Sequence, residues 1–187
     1  MMTRQNLFIL LLFLGALGVW RWYDSAPEPV DSQQAMYQPN FIAEGLTTRH
    51  YAANGLLRQT LQAERAEHYA QLDMTELTRP TILIRDASGQ PQWQLSGENG
   101  VLNSNDNALL RHQVVLQYVG DNPQVDKLTT DYLEMDLTNQ QVRTNLKVEI
   151  SGPGYHNQGT GLLAELDHHR YQLLSNSHAT YFNPPVH

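Results

Sequence analysis

The chain has 187 residues, 41% of them hydrophobic, and a formal net charge of -7, which suits one domain with a core of its own plus an extension. It contains 0 Cys, so a disulfide framework, a thiol nucleophile, a cysteine-ligated zinc or iron site and a lipid-modified cysteine anchor are excluded. The 12 Lys and Arg are scattered among 19 Asp and Glu; phosphate binding requires a clustered basic face, so a nucleic-acid partner is excluded too.

After Thr3, Arg4, Gln5 and Asn6 comes an unbroken apolar run from Leu7 to Trp20. It is shorter than the roughly 20 residues of a bilayer-spanning helix, and with Ala16 and Gly18 it also suits the apolar part of a cleaved signal peptide. Trp20, Trp22 and Tyr23 read as an interfacial aromatic belt, and Arg21 can snorkel, extending the span from Asn6 to Tyr23. The reading is a retained single-pass anchor over residues 1–23, with Leu7, Phe13, Trp20, Trp22 and Tyr23 meeting the membrane. Arg4 and the free amine favour a cytoplasmic amino terminus.

Residues 24–40, "DSAPEPVDSQQAMYQPN", combine three Pro with acids and little apolar content. They read as an extended tether unable to fold alone. The exported domain is expected over residues 41–187. Without Arg4 and Arg21 the exported part carries 10 basic against 19 acidic residues, which does not suit charge-driven adhesion to an anionic membrane.

Within that domain the chain repeats. "TILIRD" starts at Thr81, "VVLQYV" at Val114, "KVEISG" at Lys147 and "ATYFNP" at Ala179, in steps of 33, 33 and 32 residues. Each follows a partner segment: "ERAEHY" at Glu64, "ENGVLN" at Glu98, "DYLEMD" at Asp131 and "GLLAEL" at Gly161. Turn-prone stretches separate them: "NSNDN" and "LTNQQ" between partners, "ASGQP", "GDNPQ" and "SGPGYHNQG" between units. Units of strand, turn, strand and turn at fixed period imply stacked neighbours sharing one interior. "TLQAERAEHYAQL" (Thr60–Leu72) is helix-like by composition, but its place in the repeat makes it a strand. From Val142 the period is two, with Val142, Thr144, Leu146, Val148 and Ile150 on one covered side and charged or polar residues on the other. Half-apolar strands with no helix to cover them must face one another as two sheets.

The chemistry-bearing residues do not assemble into a catalytic set. His168 and His169 are adjacent, with no third ligand at metal spacing, and read as solvated turn histidines. Asp131, Glu134 and Asp136 are explained by a wet strand face. Gly159 and Gly161 form a G-x-G without the helix that a phosphate site needs, and no G-x-S-x-G elbow occurs. Neither an enzyme nor a cofactor or metal is expected.

Anchor, tether and repeated domain, together with "LTTDYLEMDLTNQQV" and "VEISGPGYHNQGTG", resemble the LptC family, membrane-anchored periplasmic components of the Gram-negative lipopolysaccharide transport bridge. The resemblance covers nearly the whole chain. It is most specific at Leu128–Asp131 and at Gly152. It implies an all-β fold: a twisted β-jellyroll of OstA-like repeats, open in a V around an apolar interior and preceded by one transmembrane helix. It also implies lipopolysaccharide binding without chemistry, in the inner membrane with the bulk of the chain in the periplasm. The expected lining is Leu46, Leu77, Ile82, Ile84, Trp93, Leu95, Val114, Leu116, Leu146, Val148, Ile150, Tyr171 and Tyr181, though most alternating apolar residues simply pack as ordinary core.

Open sheets leave strand edges that other chains can extend. The resemblance implies that the amino-terminal edge and the anchor helix dock on the inner-membrane ABC transporter. It likewise implies that the carboxyl-terminal edge pairs with the bridge protein LptA. Gly152 and His178, Ala179, Thr180, Tyr181 and Phe182 are the expected protein-interface residues, ending at Pro184 and Pro185, which cannot continue a ladder. Self-association of the soluble domain stays open. The alternative function is a membrane-tethered scaffold that binds proteins by its sheet edges and holds no lipid.

Overall fold

Alternation sets the strands. In β4 (Thr81–Arg85) Ile82 and Ile84 are buried between partly exposed neighbours, and β5 (Pro91–Ser96) repeats the pattern with Trp93 and Leu95. The structure, a computed structural model, describes residues 38–120 and 127–182. The other strands are β1 (Phe41–Tyr51), β2 (Leu57–Tyr69), β3 (Met74–Thr78), β6 (Asn99–Asn103), β7 (Asn107–Tyr118), β8 (Lys127–Asp136), β9 (Gln141–Gly152), β10 (Tyr155–Glu165) and β11 (Arg170–Tyr181). All pairings are antiparallel, and among the described residues there is no helix.

The register shows a simple path. β3 pairs with the second half of β2, from Arg65↔Thr78 to Tyr69↔Met74. β4 pairs with the first half of β2, from Gln59↔Ile84 to Gln62↔Thr81. Together β3 and β4 thus run as one long strand, interrupted at Arg79 and Pro80. In the same way β5 lies on β4 and β6 on β3, interrupted at Gly97 and Glu98. β7 then meets β6 with its first half and β5 with its second. From β7 onward each strand pairs with the next. The domain is therefore a meander folded across its own strands.

The fold line is written in backbone angles. Arg79 (φ 48), His112 (φ 60), Gln113 (φ 50) and Asn176 (φ 51) have positive φ, as do Gly45 (φ 65) and Gly161 (φ 77). Register shifts fall at the same level, between Arg111 and Val114, Thr129 and Glu134, and Thr160 and Leu162. Bulges bend a strand sharply and increase its twist, so each strand turns here from one layer into the other. Main-chain bonds carry the ladder through the crease: Arg79 N–H to the Glu98 carbonyl at 2.8 Å and Glu98 N–H to the His112 carbonyl at 3.0 Å.

The front layer holds β3, β6, the second halves of β2, β8 and β10, and the first halves of β7, β9 and β11. The first half of β1 joins the front layer through the second half of β2, and the back layer holds β4, β5 and the remaining halves. The repeated segments sort accordingly: "TILIRD", "VVLQYV", "KVEISG" and the described part of "ATYFNP", Ala179 to Phe182, lie in the back layer, and their partner segments lie in the front one. Side chains of both layers form one cluster, including Ile84, Leu95 and Leu116 from the back and Leu110, Leu133, Met135 and Leu162 from the front. Ala63, Ala66 and Leu77 form a smaller cluster, with Leu46, Leu61 and Leu102 packed on it.

Of Thr60–Leu72, residues Thr60–Tyr69 form the strand that the repeat position requires, and Ala70–Leu72 belong to the turn after β2. Two expectations need correction. "SGPGYHNQG" is not one connection: the turn is confined to Gly152–Tyr155, and Tyr155–Gly159 belongs to β10, where Asn157 pairs with Ile150. Leu146 leaves the covered face of β9. It is 41% exposed while Val142, Thr144, Val148 and Ile150 are buried. β9 crosses the crease there, and the Leu146 N–H turns to the Thr144 hydroxyl at 3.1 Å.

Candidate functional site

The interior between the layers is the first element of the site. Ile82, Ile84, Trp93, Leu95, Val114, Leu116, Val148 and Ile150 are all brought into it, each at most 4% exposed. They pack on one another, and the centre is filled. Gaps remain toward the ends among the described residues. One of about 110 Å³ is bordered by Leu61, Leu77, Ile82, Leu102, Leu110 and Leu137. Another, about 30 Å³, is bordered by Trp93, Leu116, Leu128, Ile150, Leu166 and Tyr171. Pockets that hold drug-sized ligands span about 300–1,000 Å³, so an acyl chain fits only if the layers part. An open groove of about 860 Å³ runs over the front-layer strands beside their turns and includes Leu109, Glu134, Arg143, Leu163 and Tyr171.

The turn side of the fold is closed by side chains. Gln59 Nε2 of the back layer donates to the Leu137 carbonyl at 2.7 Å. Trp93 Nε1 donates to the Leu166 carbonyl at 3.2 Å. Gln92 Nε2 and His169 Nε2 lie 3.1 Å apart. The His169 ring sits 5.9 Å from that of Trp93 and 5.5 Å from that of Tyr118, and the Trp93 and Tyr118 rings meet edge-on at 5.1 Å. These bonds join residues 73 to 78 positions apart, so sequence reasoning missed Gln59, Gln92, Tyr118, Leu137, Leu166 and His169. One signal was available: a Trp on a covered strand face must find an acceptor for its N–H.

The sheet edges are the second element. Among the described residues β1 pairs with β2 alone and β11 with β10 alone. Phe41, Ile42 and Tyr51 are exposed on β1, and Leu174, Tyr181 and Phe182 at the β11 end. His178, Ala179, Thr180 and Tyr181 oppose Gln158, Asn157, His156 and Tyr155, and all four are exposed. The Phe182 N–H closes this end on the Gly154 carbonyl at 2.9 Å. Tyr181, at 78% exposed, belongs to this edge and stands apart from the packed interior. Leu46 is half-buried on the small cluster, and Tyr171 lines both the groove and the small cleft. Gly152 is buried, and a Cβ there would fall within 3.0 Å of two ring carbons and the hydroxyl oxygen of Tyr155.

Charged groups serve the framework. The Tyr132 hydroxyl, then Arg143, holds the Glu134 carboxyl below the usual range. The backbone and side chain of Asn139, then the Thr138 N–H, do the same for Asp136 in the β8–β9 turn. Ser88 and Gln90 do so for Asp86 in the β4–β5 turn. His168 contacts Asp167 at 2.8 Å; both histidines are exposed turn residues as expected, and the His169 ring also rests against two aromatic rings. Among the described residues no group of three or more His, Asp or Glu could hold a metal ion.

The anchor residues Leu7, Phe13, Trp20, Trp22 and Tyr23, the tether up to Tyr37, and Pro184 and Pro185 lie outside the described residues. Among the described residues no helix is long and apolar enough to cross a membrane.

The fold resembles that of LptH, the LptA-homologous periplasmic component of the lipopolysaccharide transport device of Pseudomonas aeruginosa. The TM-score is 0.53 at 9% identity, over 65% of this chain and 93% of that one. The lipopolysaccharide export system protein LptC of Escherichia coli strain K12 is 22% identical over 143 residues, 76% of this chain and 75% of its own. The LptC of Shigella flexneri matches to the same extent. The family model for lipopolysaccharide assembly, LptC-related, matches residues 7–182, and the chain therefore belongs to the LptC family.

Proposed function

We propose that this chain binds lipopolysaccharide between its two layers and passes it from an inner-membrane ABC transporter to the periplasmic protein LptA. The observation that carries this reading is that an apolar interior runs from β1 to β11, edge strands whose outer sides carry no partner among the described residues. A chain that adds a strand at either edge prolongs the same folded sheet, so its interior becomes continuous with this one. Each methylene that stays out of water along such a path contributes about 0.8 kcal/mol. Transfer between equally apolar neighbours therefore needs no chemistry here.

In this reading the lipid contacts are Leu46, Leu77, Ile82, Ile84, Trp93, Leu95, Val114, Leu116, Val148, Ile150 and Tyr171, without the exposed Leu146 and Tyr181. The interface with LptA is Gly152 with His178–Phe182. The transporter takes the β1 edge and the anchor. Residues 1–23 hold the chain in the inner membrane with its amino terminus in the cytoplasm, residues 24–40 tether it, and the remainder lies in the periplasm.

The filled centre around Ile84, Leu95 and Leu116 favours a second reading, a tethered scaffold that joins proteins through its edges and holds no lipid. Photo-crosslinkers at Leu77, Val148 and Tyr181 separate the two. Lipopolysaccharide on Leu77 and Val148, with LptA on Tyr181, is the expected pattern. Protein adducts alone at all three positions would overturn lipid binding and leave the scaffold.

A further inference from the structure

We infer that the turns of the front layer form a single hinged rim, latched by Gln59, Trp93 and His169, and that acyl chains reach the interior sideways when this rim lifts. The inference rests on the lipid-binding reading above and adds the route and the residues that control it.

The interior gaps of about 110 and 30 Å³ are too small for an acyl chain, so something must move. It is not the crease, where main-chain bonds run from layer to layer and parting would break backbone ladders. On the turn side, the described bonds between layers come from side chains: Gln59 to the Leu137 carbonyl, Trp93 to the Leu166 carbonyl, and Gln92 with His169. These are the bonds that can break without unpairing any strand.

The front turns are also tied to one another. The Leu137 N–H donates to the Asp106 carbonyl at 2.9 Å, and the Leu166 N–H donates to the Gln140 carbonyl at 2.9 Å. The β6–β7, β8–β9 and β10–β11 turns are thus chained by their backbones into one strip. Both latch acceptors, Leu137 and Leu166, belong to that strip, so releasing the two donors frees the whole rim together. The His169 ring, seated against Trp93 and Tyr118, closes the β10–β11 end, next to the strand that the proposed bridge protein extends.

The chain has 0 Cys, which makes a direct test clean. In the full-length protein, Gln92→Cys with His169→Cys is bridged by a short, cleavable bis-thiol reagent. Lys127→Cys with Ser151→Cys, register partners on β8 and β9, is bridged as the control. With lipopolysaccharide as the probe and a photo-crosslinker at Leu77, the latch bridge should abolish labelling, cleavage should restore it, and the control bridge should leave it intact. Undiminished labelling through an intact latch bridge would overturn the inference.

A lipid-free measurement keeps the latch separate from lipid binding. Spin labels at Ser88→Cys and Thr138→Cys, on opposing turns, should give one narrow distance. Gln59→Ala with Trp93→Phe, which removes both donors to the strip, should raise the widely separated population about 30-fold, the effect of losing two hydrogen bonds. An unchanged distribution would overturn the latch whatever the lipid does. If the rim opens while no variant, bridged or free, takes up lipopolysaccharide, the lipid-binding reading fails and the latch stands.

Discussion

Trp93 and Leu166 are 73 residues apart in the chain, and the indole N–H of the first donates to the buried carbonyl of the second over 3.2 Å. This bond spans the two layers of one folded sheet. Trp93→Phe keeps an aromatic ring in the core but leaves that carbonyl without its donor, which costs about 1–3 kcal/mol. Thermal unfolding followed by circular dichroism should show a lower Tm, and Trp93→Ala should fall by about 3–5 kcal/mol.

Leu95 and Leu146 test the folded register. Leu95 is 0% exposed in the common core, so Leu95→Ala should cost about 2–5 kcal/mol through lost burial and the cavity left behind. Leu146→Ser, at the crease, should change stability by about 0.5 kcal/mol or less. Urea denaturation curves distinguish these outcomes. Equal losses at the two positions would place Leu146 back on the covered face.

Gly152 is required by close approach. A side chain there collides with the Tyr155 ring, which itself packs on the core. Gly152→Ala and Tyr155→Ala should each destabilise, and the double variant should lose less than their sum, because removing the ring clears the space. Gly152→Arg should also weaken capture of LptA in a pull-down, since the displaced turn carries the Gly154 carbonyl that holds Phe182.

Asp86 and Asp136 staple two turns by accepting backbone N–H bonds, and their carboxyls are held below the ordinary value. A carboxylate whose folded pKa is depressed stabilises above its unfolded value, about 3.9 for Asp, and that stabilisation is lost as pH falls through the folded value. Stability should therefore be level near neutrality and decline below about pH 4. In Asp86→Ala with Asp136→Ala the acid decline should be shallower, measured as unfolding free energy against pH.

Alternation made the inward faces of β4, β5 and the ends of β9 legible in advance. Ile82 with Ile84, Trp93 with Leu95, and Val148 with Ile150 are inside because a pleat sends every second side chain the same way. The step of about 33 residues was legible as well. It identified the strand within Thr60–Leu72 against its helical composition, and each step proved to be one passage out and back across the crease. The crease itself was not visible, because positive φ at Arg79, His112 and Asn176 follows from main-chain bonds made by neighbouring strands, and none of these residue types demands it.

By itself, then, the sequence determined which residues are apolar, how they alternate and how often the unit recurs. Those are local properties, set by side-chain chemistry and by the geometry of an extended backbone. Only the tertiary structure decided that Leu146 leaves the core, that the exposed His169 rests against the paired Trp93 and Tyr118 rings, and that Gln59 and Trp93 reach carbonyls across the fold. These contacts depend on the angle at which one half of a bent sheet returns over the other. That angle is the joint outcome of bulges, twist and packing in all the strands at once.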